Sequence, residues 1–238
     1  MGDDVSDCEW WVHVNRRWGK QKLMQADKQK SAVTGGQPIT FTLNGASMVV
    51  QGVSPNMTLL QFLRQNGWTG SKEGCAEGDC GACSVLLLEE DSDRMAWKAV
   101  NACLMLLPSV QGRQIITVEG LEADGALHPA QAAMVQTQGS QCGYCTPGFV
   151  VSIAEATYRT DLGTDDGRLL ADQLAGNLCR CTGYRSIAQA ACQVAGTCPK
   201  DHLSAAAATA QPNEPRDLSY DCDGARYLQP ANFGDLWD

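Results

Sequence analysis

The chain has 238 residues, 44 % of them hydrophobic, and a net charge of −9 at pH 7, which suits one or two globular domains with cores of their own. The acidic balance argues against nucleic acid as a partner, because the phosphate backbone calls for a basic face. No stretch approaches the length of a membrane-spanning helix, and the acidic start (Asp3, Asp4, Asp7) lacks the apolar core of a secretory signal, so a cytoplasmic protein with reduced thiols is expected.

Residues 1–36 read as an extension. Trp10, Trp11 and Trp18 precede a polar, partly basic run through Lys30, and Gly35-Gly36 marks a joint, so a flexible tail is expected. From Pro38 the pattern changes. Ile39 to Leu43 alternates, Asn44-Gly45 signals a hairpin turn, and Met48 to Val53 is expected to return as a strand. Thr58 and Gln61 form a capping box for a helix whose apolar face carries Leu59, Leu60, Phe62 and Leu63, ended by Gly67. Strands follow at Val85 to Leu88, Trp97 to Val100 and Ile115 to Val118, with a helical turn expected at Cys103 to Leu107.

After Leu121 the strand signals stop. Pro129 starts a helix over 129–138, Thr146-Pro147 one over about 147–159, and Asp165 and Asp166 precede a third that runs to Leu174. Ser186 to Val194 supplies a fourth, and four short helices suggest a compact bundle. Beyond Gly196 no periodic apolar face remains, so 199–238 reads as linker. Its last stretch, Tyr227 to Trp237, is apolar again and reads as the entry to a further domain.

Eight of the twelve cysteines fall into two sets. Cys75, Cys80 and Cys83 share one glycine-rich loop and are followed by Cys103, the C-x4-C-x2-C spacing of a plant-type two-iron cluster. Bends at its glycines let N–H groups point at sulfur, which stabilises a reduced cluster. Tetrahedral zinc is the competing reading for four thiolates, although zinc ribbons pair two C-x2-C knuckles and this loop does not. The second set, Cys142, Cys145, Cys179 and Cys181, lies at helix ends where backbone amides favour negative charge. By spacing it suits a cluster, a zinc ion or, for Cys142 and Cys145, a redox pair. A Rieske centre needs two histidines, and His13, His128 and His202 form no ligand-spaced pair. His128 reads as a helix-start or packing residue. Cys192 is expected to be a small buried residue on the last helix, and Cys8, Cys198 and Cys222 to be free thiols.

Three motifs in order carry a resemblance over residues 38–196: Lys72-Glu-Gly-Cys-Ala-Glu-Gly-Asp-Cys-Gly-Ala-Cys83, Gly139-Ser-Gln-Cys-Gly-Tyr-Cys-Thr-Pro-Gly148 and Gly176-Asn-Leu-Cys-Arg-Cys-Thr-Gly-Tyr184. They resemble the iron–sulfur region of molybdenum hydroxylases. Val118-Glu-Gly-Leu121, Leu127-His-Pro129, Ala133-Met-Val135 and Asp79 lean toward its xanthine dehydrogenase branch, while aldehyde oxidases and azaarene hydroxylases share most of the pattern. The resemblance implies an α+β chain, a β-grasp plant-type ferredoxin domain (37–121) followed by an all-α four-helix [2Fe-2S]-binding domain (122–198).

It further implies two [2Fe-2S] clusters. Cys75, Cys80, Cys83 and Cys103 would hold the one nearer FAD; Cys142, Cys145, Cys179 and Cys181 would hold the one nearer molybdenum. Gln141 matches a residue that contacts the pterin cofactor, and Cys181 the ligand nearest it. FAD and molybdopterin would sit on partner subunits or on regions outside this sequence. The chain would then be an oxidoreductase component, not catalytically complete alone, that carries electrons from a molybdopterin centre to FAD. The closing residues are similar to the entry into the family's FAD domain, so a truncated chain is the expectation over a separate flavin subunit. From a different class, a zinc-stabilised interaction protein would use the same thiolates structurally.

Overall fold

The computed structural model describes residues 37–163, 168–212 and 217–234. The N-terminal extension, Cys8, Asp165 and Asp166 lie outside them. Five strands form one mixed sheet: β1 (Ile39–Leu43), β2 (Ala46–Val50), β3 (Ser84–Asp91), β4 (Arg94–Asn101) and β5 (Gln114–Ile116). Their spatial order is β2-β1-β5-β3-β4, with β1 and β5 parallel and the other neighbours antiparallel. Helix α1 (Leu59–Gln65) precedes β3, and its capping box between Thr58 and Gln61 is formed as the sequence indicates. Four helices follow the sheet: α2 (Pro129–Gln136), α3 (Thr146–Tyr158), α4 (Arg168–Leu174) and α5 (Arg185–Val194). None of the described helices is long and apolar enough to cross a membrane.

The sheet separates two cores. Ile39, Phe41 and Leu43 of β1 meet Leu59, Leu60, Phe62 and Leu63 of α1 on one side, together with Val85 and Leu87. Leu86 and Leu88 face the other way, into a core with Phe149, Val151 and Ile153 of α3. This is why β3 reads as an unbroken apolar run rather than an alternating one: helices cover both of its faces. Helix α3 is buried nearly all round, as a central helix must be. Its buried Glu155 accepts the Ala99 N–H at 2.8 Å, satisfying a donor on the open edge of β4, and takes a second bond from Gln173.

Several expected boundaries move, each for a local reason. The second strand is Ala46–Val50 rather than 48–53, because Asn44 and Gly45 both take positive φ and make a two-residue turn, pairing Leu43 with Ala46. The helical turn expected at 103–107 sits instead at Leu107–Val110, where Pro108 can start it. Residues 102–105 have other work: the Ala102 and Met105 carbonyls accept the Leu60 and Leu59 N–H groups of the first turn of α1. β5 stops at Ile116 because the Asn44 side chain takes the Thr117 N–H, and 118–120 tighten into a 3-10 turn.

The largest difference lies beyond Gly196. Where linker was expected, the chain forms helix α6 (His202–Thr209) and a hairpin, β6 (Leu218–Cys222) with β7 (Ala225–Gln229). Asp201 caps α6 in a box with Ser204, and fully buried Leu203 anchors it, its carbonyl accepting the Trp97 indole N–H at 2.9 Å. One anchor side chain flanked by alanines leaves almost no periodicity to read. The hairpin turns at Asp223-Gly224, both at positive φ, and Tyr220 docks it by donating to the Val53 carbonyl at 2.8 Å. Residues 235–238, the end of the stretch read as a domain entry, lie outside the described residues.

Candidate metal centres

The first cysteine set is assembled by the β3–β4 hairpin. Cys83 immediately precedes β3, and pairing of Ser84 with Asn101 at the hairpin's base brings Cys103 back beside it. The nineteen residues between them are two eight-residue strands, a two-residue turn and Ala102. The spacing is therefore the length of a hairpin. Cys75 and Cys80 lie on the loop between α1 and β3, folded so that main-chain N–H groups face sulfur. Cys75 Sγ accepts from the N–H groups of Glu77 and Cys80 at 3.5 and 3.4 Å, and Cys80 Sγ from that of Cys75 at 3.4 Å. Those donors bring the Cys75 thiol down to about 7. Burial pushes Cys83 up to about 12; the Cys103 main-chain N–H pulls against the rise, while the Cys103 thiol adds to it.

The second set converges at helix starts. Cys145 is the N-cap residue of α3, Cys142 lies three residues earlier, and Cys179 and Cys181 precede α5. Burial pushes Cys145 up to about 12, with Cys179 hydrogen-bonded to it. Burial would raise Cys179 too, yet the Thr182 hydroxyl and N–H, at 3.2 and 3.5 Å from its sulfur, hold it at about 7. The neighbouring Cys142 thiol raises Cys181. Tyr184, the residue before α5, accepts the Cys179 N–H on its hydroxyl at 2.9 Å and so fixes the turn.

Within each set the thiols meet in twos: Cys75 with Cys80 and Cys83 with Cys103, then Cys145 with Cys179 and Cys142 with Cys181. Among the described residues no three His, Cys, Asp or Glu side chains gather as a single ion would need. Paired thiols with N–H groups aimed at their sulfurs suit a two-iron cluster, in which each iron takes two cysteines. All eleven cysteines of the described residues are free of disulfides.

The two sets touch each other through backbone. The Leu178 N–H donates to the Cys80 carbonyl at 3.0 Å, and the Asn177 amide donates to the Gly81 carbonyl at 3.2 Å. Ser152 of α3 donates to the Asn177 side-chain oxygen at 2.6 Å, and Tyr144 donates to the Glu73 carbonyl. Gly148 packs so closely on Gly81 that a Cβ at 148 would run into the Gly81 carbonyl. Asn177, Leu178, Thr182 and Tyr184 all lie in the third motif, but spacing offers no means of assigning them partners. Gln141 is exposed beside Cys142.

The remaining cysteines differ from expectation in one case. Cys192 is exposed on α5, not buried, because Ile187, Ala190, Ala191 and Val194 make up the inward face. Cys198 is exposed, and Cys222 is buried under the C-terminal hairpin. His128 caps α2, its Nδ1 accepting the Ala130 N–H at 3.1 Å while Nε2–H donates to the Tyr158 hydroxyl at 2.9 Å. Tyr158 in turn donates to Asp201 at 2.6 Å, tying α2 and α3 to the cap of α6.

A family model described as a 2Fe-2S iron-sulfur cluster binding domain matches residues 41–107, and one described as a [2Fe-2S] binding domain matches 117–192. Xanthine dehydrogenase of Blastobotrys adeninivorans is 42 % identical over 173 residues, 70 % of this chain and 12 % of that protein. Aldehyde oxidase 2 of Cavia porcellus is 43 % identical over 157 residues, 64 % of this chain and 12 % of its own length. The chain thus spans about one eighth of these relatives. A solved chain of quinoline 2-oxidoreductase from Pseudomonas putida 86 superposes with a TM-score of 0.58 at 30 % identity, covering 75 % of this chain and 98 % of that one. Aldehyde oxidoreductase from Desulfovibrio gigas gives 0.57 at 36 % identity, covering 66 % and 16 %.

Proposed function

The chain belongs to the molybdenum hydroxylase family, as its iron–sulfur electron-transfer region, and on that premise we propose that its eight paired cysteines hold two [2Fe-2S] clusters. Cys75, Cys80, Cys83 and Cys103 hold one; Cys142, Cys145, Cys179 and Cys181 hold the other. When bound, the clusters supply one-electron redox chemistry between a molybdopterin centre and FAD, both carried by other domains or subunits. The observation that carries this reading is the folding of both cysteine loops so that main-chain N–H groups face sulfur, at Cys75 and Cys80 in one set and at Cys179 in the other.

In this reading residues 37–121 are a β-grasp ferredoxin-type domain, supported by the mixed sheet with α1 across it. Residues 122–198 are a four-helix domain, supported by α2 to α5 packing around α3. The segment 199–238 leads to an FAD-binding partner. Gln141, exposed next to a ligand of the second cluster, faces the pterin cofactor of a molybdopterin-binding partner. The protein's own contribution is to hold the two ligand loops together through the Leu178–Cys80 and Asn177–Gly81 bonds and to aim N–H groups at sulfur. The parent assembly is a xanthine dehydrogenase, with an aldehyde oxidase as the second reading because identity to that branch is equally high.

Purified without oxygen from cells competent in cluster assembly, the protein will be red-brown, with about four irons and four labile sulfides per chain. Dithionite will produce two distinguishable paramagnetic signals. A colourless protein holding about two zinc ions instead would overturn the reading in favour of a zinc-stabilised interaction protein.

A further inference from the structure

Side chains other than the cysteines approach ligand sulfurs at two places among the described residues, and they do so with opposite polarity. Asn101 turns its carbonyl oxygen toward Cys83 Sγ at 3.8 Å, its NH2 being engaged by the Gly78 carbonyl. Thr182 sets its hydroxyl 3.2 Å from Cys179 Sγ. Main-chain N–H groups of Cys75, Glu77 and Cys80 reach the sulfurs of the first loop, and the Thr182 N–H reaches Cys179.

The chain itself decides which way the Thr182 bond runs. Thr182 Oγ1 accepts the Tyr184 N–H at 3.2 Å, which leaves the hydroxyl hydrogen free to point at sulfur. A cysteine bound to iron is a thiolate with no proton to give. The Thr182 hydroxyl must therefore donate, and it does so beside its own N–H, which reaches the same sulfur at 3.5 Å. Tyr184 closes the turn by accepting the Cys179 N–H, so the geometry is held from both ends and does not depend on a free rotor.

Given the cluster assignment above, on which this rests, we propose that Thr182 sets the reduction potential of the second cluster by donating a hydrogen bond to Cys179 Sγ. Reduction adds a negative charge that spreads onto the ligand sulfurs, and a donor aimed at sulfur stabilises the reduced form more than the oxidised one. The donor raises the potential. Thr182 is a positioning and tuning residue, and it makes no bond to iron.

The test compares wild type with Thr182→Val and Thr182→Ser, each purified with its clusters and titrated under anaerobic conditions by electron paramagnetic resonance. Thr182→Val will keep about four irons per chain. It will lower the midpoint of one of the two signals by up to a tenfold change in the reduction equilibrium, about 59 mV for one electron, and leave the other signal in place. Thr182→Ser will stay near wild type. After exchange into D2O, pulsed measurement will show a deuteron coupling at the affected cluster in wild type and Thr182→Ser that is weaker in Thr182→Val. Should valine crowd the turn and lose iron, Thr182→Ala is the second hydroxyl-free variant and must show the same fall. Unchanged potentials in an iron-replete hydroxyl-free variant overturn the proposal while leaving the clusters intact. Thr182→Ser falling as far as Thr182→Val overturns it as well. A wild-type protein without iron overturns the cluster assignment, and this inference with it.

Discussion

At Cys75 and Cys80 the sulfurs receive hydrogen bonds from main-chain N–H groups, which no substitution short of proline removes. The cysteines proposed as ligands are the direct handles. Cys179→Ala unpairs Cys145 and breaks the second set, so iron will fall from about four to about two per chain with one paramagnetic signal left. Metal analysis and the reduced spectrum check this together. The buried His128 imidazole gives a residue-scale prediction of another kind. Burial lowers it to about 4, against a smaller upward pull from Asp201, with His202 adding to the fall. In the unfolded chain the same ring takes its proton near 6.5. The stability it confers as a neutral ring is complete above about pH 6.5 and disappears as pH drops toward 4, amounting to about 3 kcal/mol at most. Urea unfolding of wild type and His128→Asn at pH 7 and pH 4.5 measures it. Asparagine keeps a cap acceptor without titrating, so the variant will lose less stability over that interval. An equal loss in both proteins would contradict this account.

At the scale of elements, the β3–β4 hairpin converts a sequence gap into a spatial contact, and α3 joins the two cysteine sets. Gly148 is where the helix meets the first ligand loop, and a Cβ there collides with the Gly81 carbonyl. Gly148→Ala will therefore cost about 1–3 kcal/mol, the usual penalty of overpacking. Gly176→Ala is the control, since a Cβ there meets nothing within 4 Å. Thermal unfolding of both variants separates a packing effect from a general loss of glycine. The capping box at Thr58, the Asn44-Gly45 turn, Pro129 and Pro147 were all readable in sequence, because each signal and its partner lie within a few residues. The Asp223-Gly224 turn carries the same kind of signal and also marks a hairpin. Short flanking strands of mixed polarity hide it: only Tyr220 and Cys222 of β6 are buried.

At the scale of the molecule, the segment beyond Gly196 spans both cores. Leu203 of α6 seats beside Trp97 on the helical side, while Tyr220 of the hairpin bonds to Val53 on the α1 side. Leu203→Ala will cost about 2–5 kcal/mol, as expected for a fully buried leucine. Tyr220→Phe will cost about 1 kcal/mol through the loss of one hydroxyl's bonds. Denaturant unfolding followed by tryptophan emission measures both, and an iron content equal to wild type in each variant would show that the segment holds the fold and not the metal.

The spacings of the cysteines, their division into two sets, the hairpin and the helix starts are legible in sequence alone, because each is written in nearby residues: a spacing, a cap, a turn residue at positive φ, a period of two or of nearly four. Which thiol meets which, the bond from Leu178 to Cys80, the donor role of Thr182 and the docking of α6 belong to the tertiary structure. Leu178 and Cys80 lie almost a hundred residues apart, yet they meet at 3.0 Å where Gly148 and Ser152 of α3 pack against their neighbours Gly81 and Asn177. A sequence pattern records what each residue needs, and a distant partner that satisfies the need is chosen by the packing of everything between.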